Sequence, residues 1–96
     1  MLDKEQDNAL IRYSLGNEYL KAKKFTDAIK HLHKAVELDH DYSAAWKLYG
    51  KALSENDQVN EAIQAYENGI AVAGKKGDIQ AAKEMKVFLK RLKRGE

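Results

Sequence analysis

The sequence predicts an all-α fold: two stacked helix–turn–helix repeats of an α–α superhelix, followed by a C-terminal capping helix. Residues 9–42 and 43–76 match each other in residue class at an offset of 34 positions. A fixed period of that size is typical of stacked supersecondary units. Within each stretch the apolar residues recur three, four and seven positions apart, which places them on one face of a helix. The chain contains no proline, which fits helices joined by short turns.

Five helices are expected from this periodicity and from the turn residues between them. The connections are short, so neighbouring helices should lie antiparallel. The glycine-containing segment 74–77 is expected to end the fourth helix. The predicted helices span residues 7–22, 25–38, 42–55, 59–73 and 78–93. The predicted organisation is an N-terminal tail over 1–8, two repeats over 9–76, and a capping helix with a basic C-terminus over 77–96.

Polar residues at the helix starts are the expected N-caps, because their side-chain oxygens accept hydrogen bonds from the first unpaired backbone amides. Asp7 or Asp3 is expected to cap the first helix. Asp41 or Ser43 is expected to cap the third helix, and Asp78 the fifth.

Two glycines inside predicted helices stand at the same phase of the repeat. Gly50 follows Gly16 by 34 positions, and a glycine inside a helix costs about 1 kcal/mol relative to alanine. Because the same unfavourable residue stands at the same position of both repeats, we expect a packing reason. The prediction is that a large side chain of the partner helix packs against the backbone of each glycine. Ala28, Ala62 and Gly69 are expected to lie at similar helix contacts.

These spaced residues resemble the tetratricopeptide repeat, whose 34-residue pattern is W-x2-L-G-x2-Y, then A-x3-F, then P. The first unit departs from the pattern at Arg12, where the family has tryptophan. His40 and Gly74 stand where proline usually closes each unit. The matching residues are Leu15, Gly16, Tyr19, Ala28 and Leu32 in the first unit, and Trp46, Tyr49, Gly50, Leu53, Ala62 and Tyr66 in the second.

The fifth helix lacks the repeat pattern and resembles the capping helix that closes such arrays. Its apolar residues form one stripe, expected to pack on the second repeat, and its basic residues form another arc. The apolar stripe is Ala81, Ala82, Met85, Phe88, Leu89 and Leu92. The basic arc is Lys83, Lys86, Lys90, Lys93 and Arg94.

Composition limits the possible functions. The 96 residues suffice for one small domain. No apolar run approaches the roughly 18 residues of a membrane span, and the polar start of the chain does not resemble a secretory signal. The absence of cysteine excludes disulfides and thiolate chemistry. These features predict a cytoplasmic protein with no membrane partner.

The chain shows no pattern typical of a catalytic or metal site. His31 and His33 are two positions apart, so on a helix they point in nearly opposite directions and cannot share a metal. Ser14, Ser43 and Ser54 have no strand–turn–helix context of the kind that exposes a nucleophile. The sequence therefore predicts a protein that is not an enzyme and that binds no cofactor or metal.

The resemblance implies a protein–protein interaction module, with a protein or peptide as the partner. In that family the first helix of each repeat lines a concave groove. The residues expected in the peptide-binding groove are Leu10, Tyr13, Asn17, Leu20, Lys47 and Lys51, flanked by Lys21, Ala44, Ser54 and Glu55. One subfamily binds the C-terminal carboxylate of heat-shock chaperones, but only Asn17 matches its five binding positions, so no such clamp is expected.

Two alternative functions follow from charge and size. Residues 75–96 carry a formal charge of +5, whereas residues 1–74 carry −3, and the basic segment would attract nucleic acid or another acidic surface. No aromatic residue is interleaved with these charges, so the sequence favours a protein over a nucleic-acid partner. Two repeats bury little core, since about three are normally needed for stability. The chain is therefore expected to be a monomer or a weak homodimer, with self-association as a further alternative.

Overall fold

The computed structural model describes residues 7–95, which form five helices and no strand. The predicted all-α fold of stacked hairpins with a capping helix is confirmed. In chain order α1 packs on α2, α2 on α3, α3 on α4 and α4 on α5. The helices are α1 Ala9–Lys21, α2 Phe25–Leu38, α3 Ser43–Glu55, α4 Val59–Lys76 and α5 Ile79–Arg94.

The helix caps were predicted correctly only in part. Asn8 caps α1, because its Oδ1 accepts a hydrogen bond from the backbone N–H of Ile11 at 2.9 Å. The prediction of Asp7 is wrong, since that carboxylate pairs instead with Arg12. The alternative, Asp3, lies outside the described residues.

The start of α3 also differs from expectation, whereas the start of α5 does not. Tyr42 occupies the N-cap position of α3 and makes no side-chain capping bond, so neither Asp41 nor Ser43 is the cap. The Ser43 hydroxyl donates instead to Asp78 Oδ2 at 3.0 Å. Asp78 caps α5 as predicted, and its Oδ1 accepts from the N–H of Ala81 at 3.2 Å. Asp78 thus ties together the starts of α3 and α5.

The fourth helix is longer than predicted and ends at Lys76. Gly74 continues the helix, and Gly77 ends it with the left-handed φ of 75° that glycine adopts at little cost. The N–H of Gly77 donates to the carbonyl of Gly74 at 3.2 Å, and the N–H of Asp78 to that of Ala73 at 2.8 Å. This pair of bonds is the Schellman motif, which satisfies the last free carbonyls of a helix.

The glycines inside the helices lie at close helix contacts, as predicted. A Cβ atom added to Gly16 would lie 2.7 Å from Leu32 Cδ2, and one added to Gly50 would lie 2.5 Å from Tyr66 Cε1. The equivalent position of each repeat is therefore a glycine whose backbone packs against a large side chain of the partner helix. Gly69 is equally restricted, because an added Cβ would lie 2.8 Å from Trp46 Cβ.

The buried side chains form two groups of unequal size. The larger group joins α2, α3, α4 and α5 around Trp46, Tyr66 and Met85. The smaller group joins α1, α2 and α3 and contains Leu20 and Leu32 among its buried members. The capping helix thus contributes to the larger core, and Met85 has no exposed surface.

Arg12, at the position of the family's tryptophan, makes a polar network at the open end of the first hairpin. Its guanidinium donates to both carboxylate oxygens of Asp7, at 2.7 and 3.1 Å. It also donates to His31 Nδ1 at 2.9 Å. Arginine only donates, so this bond requires a neutral imidazole. The ring of Tyr19 stacks on His31 with centroids 5.3 Å apart.

We expect Gly50→Leu to destabilise the fold by about 1–3 kcal/mol or more, because the new side chain would overlap the ring of Tyr66. Urea unfolding followed by circular dichroism would measure the loss. Gly74→Ala is the control, because Gly74 is also helical and a Cβ atom added there would have no neighbour within 4 Å. The control should be neutral or slightly stabilising. A Gly50→Leu variant as stable as Gly74→Ala would contradict the contact.

We expect stability to fall as the pH is lowered from about 7.5 to about 5, because His31 is held neutral in the fold. Burial and then the Arg12 charge lower the pKa of His31 below its usual 6.5. The unfolded chain therefore takes up this proton first. The contribution of His31 is full above its ordinary pKa and is lost as the pH falls through the lowered value.

Urea midpoints across that range would measure the effect, with His31→Gln as the control. The other two histidines are present in both proteins, so the difference between the two proteins isolates His31. The hydrogen bond from Arg12 lowers the pKa of Asp7, which therefore titrates below this range. Equal pH dependence in wild type and His31→Gln would contradict the prediction.

We expect the capping helix to be required for the fold, because its residue Met85 is completely buried in the larger core. Met85→Asp should give an aggregating or partly unfolded chain, since it buries a charge and exposes apolar surface. Lys86→Asp, on the exposed side of the same helix, should leave the melting temperature nearly unchanged. Sedimentation and thermal melts would compare the two. A monomeric, cooperatively melting Met85→Asp chain would show that the cap is dispensable.

Candidate binding site

Neighbouring repeats approach each other more closely on one side of the molecule than on the other. α3 contacts both α1 and α5, so these three helices lie side by side. By contrast, among the described residues no Cα atom of α2 lies within 8 Å of one in α4. The array therefore curves, with α1, α3 and α5 on its concave side. We call this side the inner face and the α2–α4 side the outer face.

The first cleft of the inner face lies between α1 and α3 and has a volume of about 340 Å³. Leu20, Phe25 and Leu48 supply apolar surface, and several lysines stand around them. We call it the α1–α3 cleft. Its lining residues are Asn17, Leu20, Lys21, Lys23, Phe25, Leu48, Lys51 and Glu55.

The second cleft of the inner face lies between α3 and α5 and has a volume of about 240 Å³. Its aromatic surface comes mainly from Phe88, because Tyr66, whose ring centroid lies 5.8 Å from that of Phe88, is only 3% exposed. Burial, and to a smaller extent the charge of Glu55, raises the pKa of Tyr66 to about 12, so the hydroxyl stays protonated. We call it the α3–α5 cleft. Its lining residues are Lys51, Ser54, Glu55, Tyr66, Phe88, Arg91 and Leu92.

Lys51 and Glu55 line both clefts and therefore connect them along the inner face. The two residues are one turn apart on α3, the central helix. Four basic residues line the joined clefts, against one carboxylate, that of Glu55, in the described part of the chain. The basic residues are Lys21, Lys23, Lys51 and Arg91. The inner face thus combines apolar surface with an excess of positive charge.

The structure brings some of the sequence-predicted groove residues together and separates others. Asn17, Leu20 and Lys51 line the α1–α3 cleft, beside the flanking Lys21 and Glu55. Leu20 is only 8% exposed and belongs to the smaller core. Its contribution to the cleft is therefore a small apolar surface.

The other three predicted groove residues line neither inner cleft. Leu10 is 64% exposed, in the first turn of α1. The ring of Tyr13 packs against that of Tyr42 with centroids 5.0 Å apart, at the junction between the two hairpins. The ammonium of Lys47 pairs with Glu84 Oε2 of the capping helix at 3.5 Å. Lys47 and Lys51 therefore do not act as one pair of free charges.

Sequence reasoning missed the contribution of the capping helix. Phe88, Leu92 and Arg91 line the α3–α5 cleft, whereas the sequence assigned the first two only to the packing stripe. The sequence could have indicated this contribution. The connection from α4 to α5 repeats the connection from α2 to α3, so α5 takes the place of a third repeat's first helix. A capping helix placed in this way lies beside α3 as the third helix of the inner face.

Two classes of site are not seen in the described part of the chain. No group of three or more histidine, aspartate or glutamate side chains among residues 7–95 is placed to hold a metal ion. None of the five helices is long and apolar enough to cross a bilayer.

The family of the chain follows from comparison with known proteins. Residues 9–42 match the family model described as Tetratricopeptide repeat. The chain is 50% identical over 94 residues to the TPR repeat-containing protein PA0015 of Pseudomonas aeruginosa, covering 98% of this chain and 90% of that protein.

Solved structures agree in fold. The solution structure of BPP2914 from Bordetella parapertussis has a TM-score of 0.83 at 42% identity and covers 96% of this chain and 80% of that one. A tetratricopeptide repeat domain protein from Salinibacter ruber has a TM-score of 0.85 at 28% identity, covering 94% and 91%. The repeat length, the paired glycine contacts and these relatives together show that the chain belongs to the tetratricopeptide repeat family.

Proposed function

We propose that the chain is a non-catalytic protein–protein interaction module, an adaptor that binds a peptide or protein partner along its inner face. Tetratricopeptide repeats generally mediate contacts between proteins, which supports this class of function. The observation that carries the proposal is the pair of clefts joined at Lys51 and Glu55. Together they form one continuous track along the inner face, which an extended peptide could follow.

The chemistry of this track favours a particular class of peptide. Phe88, with the small exposed part of Tyr66, offers aromatic surface to an apolar anchor residue, which would supply most of the affinity. Lys51 and Arg91 would attract acidic residues beside the anchor and orient them. The proposed ligand is therefore a short extended segment with one apolar anchor and nearby aspartate or glutamate.

Lys51 is the central residue of the proposed site. It is exposed and lines both clefts, and it takes part in none of the ion pairs found among the described residues. Lys47 has its charge offset by Glu84. The proposal therefore keeps Asn17, Leu20 and Lys51 from the groove predicted by the sequence, and it adds Phe88 and Arg91.

We expect Lys51→Glu to weaken binding of such a peptide about tenfold, because the reversed charge would stand beside Glu55 and repel acidic residues of the ligand. A random peptide library selected against the full chain would supply the probe. Isothermal titration would then compare the variant with wild type. Selected peptides should combine an apolar residue with acidic neighbours.

Lys83→Glu is the matched control, with the same charge change on the exposed side of α5, and it should bind as wild type does. Unchanged affinity in both Lys51→Glu and Arg91→Glu would place the site away from the inner face. Loss of binding only in Lys83→Glu would favour the basic arc of α5. A salt titration against RNA and DNA would then test the nucleic-acid alternative.

A further inference from the structure

The outer face contains a third cleft, between α2 and α4, with a volume of about 370 Å³. It exists because the backbones of α2 and α4 stand apart, so side chains of α3 form its floor. None of its lining residues belongs to the two inner clefts. Its binding properties are therefore independent of the function proposed above. We call it the outer cleft.

Four rings of the outer cleft form a continuous series. Tyr49 lies between His33 and Trp46, with ring centroids 5.8 and 6.1 Å away, and His40 stands 5.4 Å from Trp46. The indole Nε1 of Trp46 donates to the backbone carbonyl of His40 at 2.7 Å, which fixes the ring. The aromatic wall is therefore in place before any ligand arrives.

Two carboxylates stand at this wall, one on each side of the cleft. Glu37 belongs to α2 and Glu61 to α4, and both line the cleft. Burial, then the charges of Glu61 and Glu37, raise the pKa of Tyr49. Among residues 7–95, no lysine or arginine lines the outer cleft.

The existing partners of these carboxylates are weakly held. Lys34 and His33 lie 3.9 and 3.8 Å from Glu37, and each of these side chains is about half exposed. Exposed pairs of this kind contribute little free energy. Glu61 accepts a hydrogen bond from the neutral amide of Gln58. An incoming cation would therefore displace little.

We propose that the outer cleft binds the guanidinium group of an arginine side chain from a partner protein. A guanidinium is planar and stacks on aromatic rings, and its fork of N–H donors fits carboxylates. Tyr49 supplies the ring, while Glu37 and Glu61 supply acceptors from opposite sides. An ammonium would gain the charge attraction without the planar stacking, so arginine is favoured over lysine.

The test uses Nα-acetyl-arginine amide as the probe and the full chain as the protein. Trp46 is the single tryptophan, so the indole N–H signal in NMR reports directly on this cleft. Arginine should shift that signal saturably, lysine should do so at least several-fold more weakly, and the neutral isostere citrulline should give no saturable shift. Equal shifts with arginine and citrulline would overturn the proposal, as would a lysine affinity equal to that of arginine.

A pair of double variants separates the cleft from the overall charge. Glu37→Gln with Glu61→Gln should weaken arginine binding about tenfold, because both acceptors lose their charge. Glu18→Gln with Glu84→Gln makes the same change in net charge outside the outer cleft and should leave binding unchanged. Equal affinity in the two double variants would show that arginine is not held by these carboxylates. A normal helical melt of both variants would exclude unfolding as the cause.

Discussion

Close approach of helix backbones at glycine is the constraint on which the rest of this structure depends. Gly16 against Leu32 and Gly50 against Tyr66 fix the distance within each hairpin. Gly69 extends the same principle to the junction with the capping helix, where Trp46 and Met85 meet it. The position of α3 between α1 and α5 follows from these contacts. The three glycines that set both inner clefts therefore line neither of them.

The fold could be predicted from the sequence because its determinants are local or repeat at a fixed offset. Periodic apolar positions and the phase of Gly16 and Gly50 require no knowledge of distant contacts. The binding surface was harder to predict, because charges and rings find partners across helices. Lys47 is paired by Glu84, and Tyr13 is partly covered by Tyr42. Sequence spacing along one helix cannot show such partners.

The helix caps show the same limit on a smaller scale. Asp78 caps α5 through a bond within its own first turn, which sequence pattern can indicate. Ser43 looks equally suitable for a cap, but its hydroxyl donates a hydrogen bond to Asp78, 35 positions further along the chain. Lys76 makes a parallel link by donating to the carbonyl of Asp41 at 2.8 Å. These two bonds join the start of the second hairpin to the junction between α4 and α5.

The unequal division of the core has a consequence for motion. The first hairpin rests on the smaller buried group and on the polar network of Arg12, while the second hairpin shares the larger group with the capping helix. Opening of α1 would therefore break fewer buried contacts than opening of α3 or α4. In repeat arrays each unit is stabilised mainly by its neighbours, so α1, at one end of the array, should open more readily than α3 or α4. The α1–α3 cleft therefore has this more readily opened helix as one of its walls. A partner that bridges both would draw the hairpins together and slow amide exchange in α1.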